Sequence, residues 1–215
     1  MTDRRLRVTE IFYSLQGEGL STGEPTVFIR LTGCPLRCGY CDTTYAFQGG
    51  EWMTLERILE RLSAHDCPLV CVTGGEPLAQ PDTLVLLERL CDAGYHVSLE
   101  TSGALDIAQV DPRVVKVVDV KTPGSGEDQR NRLENLDHLT KRDQLKFVIC
   151  DQEDYRWARR LLDTYQPHHR CTVLFSPAAP QMNPTRLAEW ILKDQLPVRL
   201  QLQLHKLIWG EEPGR

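Results

Sequence analysis

The sequence predicts an α/β protein built on one mostly parallel sheet. Three observations point there. Short runs rich in Val, Ile, Leu and Phe recur along the 215 residues, segments of helical periodicity separate most of them, and loops rich in Gly or Pro follow several of the runs directly. Residues 26–31 (TVFIRL), 69–73 (LVCVT), 96–100 (HVSLE), 114–120 (VVKVVDV), 145–150 (LKFVIC), 172–175 (TVLF) and 198–204 (VRLQLQL) form the strand series. Residues 6–12 make an eighth strand, expected outside that series. Thr54 is placed to cap a first helix, whose apolar positions Leu55, Ile58, Leu59 and Leu62 fall at helical spacing. Asp82 opens a second, with Leu84, Leu87, Leu90 and Cys91 inward and Gly94 as its stop. Tyr155, Ala158, Leu161, Leu162 and Tyr165 mark a third. Pro184 starts a fourth, carrying Leu187, Trp190 and Ile191. No repeat, low-complexity stretch or linker interrupts the alternation, so a single domain over 1–215 is expected.

Composition narrows the class. A hydrophobic share of 41% and a charged share of 26% exclude a disordered or collagen-like chain. No apolar run reaches the ~18 residues of a membrane span, and the N-terminus leads into mixed residues, so a cytoplasmic protein with no membrane partner is expected. A net charge of −5 makes nucleic acid a poor default partner. Polar residues gather just after strands: Thr73-Gly74-Gly75-Glu76-Pro77, Thr101-Ser102-Gly103, residues 121–126 (KTPGSG) and residues 176–180 (SPAAP). Ends of parallel strands share a face where ligands bind, so these loops are expected to line one site. The competing reading is that Gly and Pro only turn the chain.

Eight cysteines in a reducing compartment need a reason other than disulfides. Cys34, Cys38 and Cys41 stand in GCPLRCGYCD, a C-x3-C-x2-C spacing just past a strand end. Thiolates that close converge on a metal centre. Zinc normally takes four protein ligands, and no second C-x2-C pair exists; His65 and His96 are the candidate fourth ligands. An iron–sulfur cubane is the other solution. The triad, with aromatic Tyr40 directly before Cys41, resembles the signature of the radical S-adenosylmethionine (radical SAM) superfamily. Gly74-Gly75-Glu76 resembles the loop by which that superfamily receives the methionine end of its cofactor. The resemblance implies a partial (β/α)6-type barrel, a 4Fe-4S cluster with one open iron, and S-adenosylmethionine bound there. Cys67, Cys71, Cys91, Cys150 and Cys171 are read as small core hydrophobes.

SLQGEG at 14–19, FIRL at 28–31, GCPLRCGYCDT, VTGGEPL, LETSG, VDVKTPGSG and the terminal LQLHK resemble the 7-carboxy-7-deazaguanine synthases over nearly the whole chain. That resemblance implies a lyase of the queuosine and 7-deazapurine pathway. Such an enzyme turns 6-carboxy-5,6,7,8-tetrahydropterin into 7-carboxy-7-deazaguanine with loss of ammonia, through hydrogen abstraction at C6 by a 5′-deoxyadenosyl radical. It implies pterin contacts from Leu15, Gln16, Gly17 and Thr73, and a pairing of Arg30 with the substrate carboxylate. Thr43 is implied as an oxygen ligand to Mg²⁺. Tyr40, Gly74, Gly75, Glu76, Ser102, Asp119, Val120, Lys121, Ser176 and Pro177 are implied around S-adenosylmethionine. A homodimer and an electron donor such as a flavodoxin follow from the same source. Two segments depart from the pattern: Asp119-Val120-Lys121 stands for Ser-Pro-Lys, and Ser176-Pro177 for Gln-Pro. Residues 1–25 read as a short extension and 205–215 as a tail that runs past the point where some members end. Competing readings are a helix cap for Thr43, a solvated edge charge for Arg30, a plain turn for residues 16–19 and a surface charge for Lys121. A glycyl-radical activase and a non-catalytic metal-binding module are the alternative functions.

Overall fold

The computed structural model describes residues 4–210, 212 and 214. One nine-stranded sheet organises them. Its strands are β1 (Arg5–Leu15), β2 (Pro25–Leu31), β3 (Glu51–Thr54), β4 (Leu69–Gly74), β5 (His96–Thr101), β6 (Val115–Val120), β7 (Gln144–Ile149), β8 (Thr172–Pro177) and β9 (Arg199–Leu200), in the order β3-β1-β2-β4-β5-β6-β7-β8-β9. From β2 through β9 every neighbouring pair is parallel. The parallel run forms a partial barrel, and its strand ends converge on one mouth.

Residues 6–12 form the expected strand outside the parallel series, but they join the same sheet. They belong to β1, which pairs antiparallel with β2 over its second half and with β3 over its first. β3 escapes sequence reading because four residues after Gly50, the last of them the helix cap Thr54, carry no period. The segment 198–204 is a strand only at Arg199–Leu200; α5 (Leu204–Trp209) then begins. Its alternating Gln residues look like a strand pattern but serve loops instead: Gln201 Oε1 accepts the Gly19 N–H at 2.7 Å.

The helices follow their periodicity. α1 (Leu55–Leu62) is capped by the Thr54 hydroxyl, which accepts from Arg57 N at 3.2 Å, and buries Leu55, Ile58 and Leu62. α2 (Thr83–Asp92) buries Thr83, Leu86, Leu87 and Leu90. Leu84 and Cys91 are only partly buried, so its inward face is rotated from the expected one. α3 (Gln152–Tyr165) is capped by Asp151, and α4 (Pro184–Lys193) by Asn183. Each fully buried Leu or Ile contributes about 1.5–3 kcal/mol relative to exposure. Phe147 and Tyr155 both pack edge-on against Phe175, locking β7, β8 and α3 together.

Two crossovers carry no α-helix. The chain from β5 to β6 is irregular, and that from β6 to β7 consists of short 3₁₀ turns. Buried backbone there still needs partners. Asn135 supplies them: it donates to the Gly103 and Leu105 carbonyls and accepts from Ile107 N.

Candidate active site

The barrel mouth opens into a cavity of about 330 Å³. Leu15, Gln16, Gly17, Arg30, Cys34, Cys38, Tyr40, Cys41, Thr43, Thr73, Gly74, Gly75, Ser102, Asp119, Lys121, Ser176 and Pro177 all line it. Of the residues assigned to cluster, cofactor, substrate or Mg²⁺, Glu76 and Val120 do not, and His65 and His96, the candidate fourth zinc ligands, do not line it either. Val120 belongs to the hydrophobic core; its side chain faces away from the site. Cys67, Cys71, Cys150 and Cys171 are buried, as expected, whereas Cys91 is partly exposed.

The cysteine loop is held by the loop after β6 and by a bond of its own. Gly39 N donates to Ser125 O at 2.9 Å, Arg37 N reaches Glu127, and Arg37 Nη1 donates to Cys34 O at 2.8 Å. Glycine lets the loop after β4 press against it. A Cβ on Gly75 would stand 2.3 Å from Gly33 O and 2.8 Å from Cys34 Cβ, and one on Gly74 would stand 2.3 Å from Leu31 O. Burial pushes the Cys34 and Cys38 thiols up, outweighing the opposing pull of Lys121. Among the described residues no three His, Cys, Asp or Glu side chains gather round a single-ion position. A zinc ion needs its ligands at about 2.0–2.3 Å, whereas a cubane takes its thiolates at separate irons. Three free, partly exposed cysteines on one cavity wall therefore fit a cluster better than a lone ion.

Glu76 works from behind the cavity. It is fully buried, and its carboxylate accepts from Thr101 Oγ1, from the Ser102 hydroxyl, from Ser102 N at 2.7 Å and from Leu78 N at 3.0 Å. The loops after β4 and β5 are thus tied by one carboxylate, with several charge-assisted bonds offsetting its burial. Thr73 Oγ1 donates to Glu100 Oε2 at 3.0 Å, and Gln16 Nε2 approaches Glu100 at 3.4 Å.

Charged residues that sequence reasoning missed cross the mouth. Lys146 Nζ lies 2.6 Å from Glu18 and 3.6 Å from Asp119, and Lys121 Nζ lies 3.0 Å from Asp119. Burial alone would raise the Asp119 carboxyl, but the ammonium groups of Lys121 and Lys146 outweigh it and hold it below its ordinary value. Burial would likewise lower the Lys146 ammonium; Glu18 and Asp119 instead keep it well above. Asp119 Oδ1 is buried without a hydrogen-bond partner, and Lys121 Nζ stands 5.7 Å over the Tyr40 ring. The signal available in sequence was Lys146 on a strand expected to be buried, since a buried lysine requires partners.

Thr43 sits at the start of a 3₁₀ turn (Thr44–Phe47), but its hydroxyl makes no cap; it donates to Asp42 Oδ1 at 2.9 Å. Despite burial, Lys206 at 2.9 Å holds the Asp42 carboxyl well below the usual range. α5 brings His205 and Lys206 to the cavity, and Gly17 leaves room for the His205 ring: a Cβ there would meet Nδ1 at 1.9 Å. Gly210, Glu212 and Gly214 reach the cavity rim, while the terminal carboxylate lies outside the described residues.

A partial parallel barrel with three cysteines in the loop after its first parallel strand defines the radical SAM class, and the family model described as the Radical SAM superfamily matches residues 28–118. The 7-carboxy-7-deazaguanine synthase of Chlorobaculum tepidum is 45% identical, with 98% of this chain and 97% of that protein covered. That of Koribacter versatilis is 46% identical over 96% of this chain and 98% of its own. The crystal structure of QueE from Escherichia coli matches with a TM-score of 0.77 at 26% identity, covering 94% of this chain and 95% of that one. The chain belongs to the 7-carboxy-7-deazaguanine synthase family.

Proposed function

We infer that this chain is a 7-carboxy-7-deazaguanine synthase, a radical SAM lyase that contracts the ring of 6-carboxy-5,6,7,8-tetrahydropterin and releases ammonia. One observation carries the reading: the cysteine triad, the Gly74-Gly75 loop and Arg30 line a single cavity. A bound 4Fe-4S cluster and S-adenosylmethionine supply the electron and the carbon radical that take hydrogen from the substrate.

The residues around the cavity divide the work. Cys34, Cys38 and Cys41 would hold the cluster, and Tyr40 lines the same cavity beneath Lys121. Gly74 and Gly75 let backbone groups approach the methionine end of the cofactor. Ser102, fixed by Glu76, offers its hydroxyl oxygen to the same end. The unpartnered Asp119 Oδ1 is an acceptor for a cofactor amine or hydroxyl. Lys121 keeps Asp119 ionised, and the backbone of Val120 lies between the two. Ser176 and Pro177 flank the adenosine.

At the opposite wall, Leu15, Gln16 and Gly17 present backbone and amide groups to the pterin. Arg30 pairs with its carboxylate and Thr73 faces its ring. Thr43 supplies its hydroxyl oxygen to a Mg²⁺ ion, a hard cation that prefers such ligands, and Asp42 orients that hydroxyl. The whole chain acts as one domain, pairs with a second copy, works in the cytoplasm and accepts electrons from a donor such as a flavodoxin. No helix of the described residues is long and apolar enough to cross a membrane.

The deciding experiment gives reduced, reconstituted protein S-adenosylmethionine and carboxytetrahydropterin. Carboxydeazaguanine is expected by mass spectrometry. Its absence, from a preparation that cleaves S-adenosylmethionine, would overturn the assignment.

A further inference from the structure

Glu10 and Arg30 stand opposite each other on β1 and β2 only because the register shifts between Val8 and Glu10. Val8 pairs with Leu31; uninterrupted pairing would then set Thr9 opposite Arg30. The extra residue sets Glu10 there instead, and such irregularities re-aim the side chains that follow them. Thr9 is left to meet the Thr32 hydroxyl at 2.7 Å. The Glu10 carboxylate uses one oxygen twice: Oε1 accepts from Arg30 Nε at 2.7 Å and from the Tyr45 hydroxyl at 2.8 Å. The Arg30 guanidinium lies 5.6 Å from the Phe12 ring and 5.9 Å from the Tyr45 ring. Its terminal nitrogens donate to none of the described residues. Arg30, Phe12 and Tyr45 line the cavity; Glu10 does not.

We propose that Glu10 is a positioning residue for substrate binding, turning the Arg30 guanidinium so that its terminal N–H fork faces a carboxylated ligand. Tyr45 braces Glu10 from the loop that follows the cysteines. This rests on the reading of Arg30 as the partner of the substrate carboxylate. Two effects of Glu10 oppose each other. Its negative charge weakens the pull of Arg30 on an anion, while its hydrogen bond removes the cost of immobilising a long side chain on binding. Both side chains are largely sheltered, at 16% and 24% exposure, and a bidentate contact depends on orientation. Positioning therefore prevails.

The test compares Glu10→Ala, Glu10→Gln, Tyr45→Phe and Arg30→Lys in the reconstituted holoenzyme. Glu10→Ala should raise KM for carboxytetrahydropterin about 5–10-fold, the worth of one immobilised side chain. Its kcat, iron content and S-adenosylmethionine affinity should stay near the parent values. Glu10→Gln keeps an acceptor oxygen of the same reach and should restore KM to within about 3-fold of the parent, because geometry rather than charge sets it. Tyr45→Phe, which leaves both strands untouched, should raise KM about 2–3-fold, and it decides the matter if Glu10→Ala fails to fold. A lowered KM in Glu10→Ala, or equal shifts in Glu10→Ala and Glu10→Gln, would mean that charge governs and would overturn the proposal. An Arg30→Lys enzyme with unchanged KM would overturn the underlying role of Arg30. A raised KM in Arg30→Lys beside parent values in Glu10→Ala and Tyr45→Phe would overturn the role of Glu10 alone.

Discussion

Asp154 Oδ1 accepts the backbone N–H of Gly124 at 2.7 Å, joining the first turn of α3 to the loop after β6. Its second oxygen takes Cys150 N at 2.9 Å, and the side chain is fully buried. The loop it holds passes the constraint on, because Ser125 O accepts from Gly39 N between Cys38 and Cys41. A carboxylate on a helix thereby helps to set the shape of the cysteine loop.

Replacing Asp154 by Asn puts an amide N–H₂ against one of two backbone N–H groups. Leaving a buried donor unpaired costs about 1–3 kcal/mol. Asp154→Asn should lower the thermal midpoint and weaken S-adenosylmethionine binding together, read by calorimetry and equilibrium dialysis. An unchanged midpoint would remove Asp154 from this role.

Cys34→Ala, Cys38→Ala and Cys41→Ala should each strip the anaerobically reconstituted protein of its brown colour and most of its iron. Cys67→Ala and Cys171→Ala should keep both, because their thiols are buried in the fold, and burial pushes that of Cys171 up to about 11. Iron analysis and the visible spectrum report the outcome. Full iron in a triad variant would contradict the ligand assignment.

Gly75→Ala drives a methyl group into the Gly33 carbonyl and Cys34 Cβ. Both are backbone or close to it, so neither can swing aside cheaply. Iron retention should fall at least about 5-fold after reconstitution, the effect of the ~1 kcal/mol or more that overpacking costs. Gly23→Ala meets nothing within 4 Å and serves as the control; its positive φ gives it a small stability cost without iron loss.

Asp119 gives a pH dependence with a definite sign. Its folded pKa lies below the ordinary 3.8 because Lys121 and Lys146 outweigh burial. The stabilisation is therefore present in full above the unfolded value and is lost as pH falls through the folded one. Asp119→Asn, which leaves the buried Lys121 ammonium without its carboxylate while Lys146 keeps Glu18, should cost about 3 kcal/mol at pH 7. The gap between parent and variant should shrink below about pH 4, measured by urea unfolding from pH 7 to pH 3. A gap that stays constant over that range would exclude this ion pair as its source.

The parallel strands were legible because buried strands are written as continuous apolar runs, and four of the helices because their inward residues recur every three or four positions. The cavity was legible for the same reason: loops after parallel strands meet on one face wherever such a sheet forms. Glu18, Lys146, Glu10 and Tyr45 were not legible as site residues. Glu18 and Lys146 are 128 positions apart, and no local pattern marks a pair that only strand packing brings together. Glu76 was read as a ligand of the cofactor, yet its carboxylate is taken up by Thr101 and Ser102 from the next strand.

By itself the sequence determined what is local: strand and helix identity, the three-cysteine spacing, and the glycines needed where backbones touch. The tertiary structure decided what depends on register and on partners far along the chain. A one-residue shift put Glu10 rather than Thr9 beside Arg30. Side chains in a sheet alternate faces, so one residue more or less exchanges which groups can meet. That exchange leaves composition and periodicity almost unchanged, which is why it is visible only in the folded molecule.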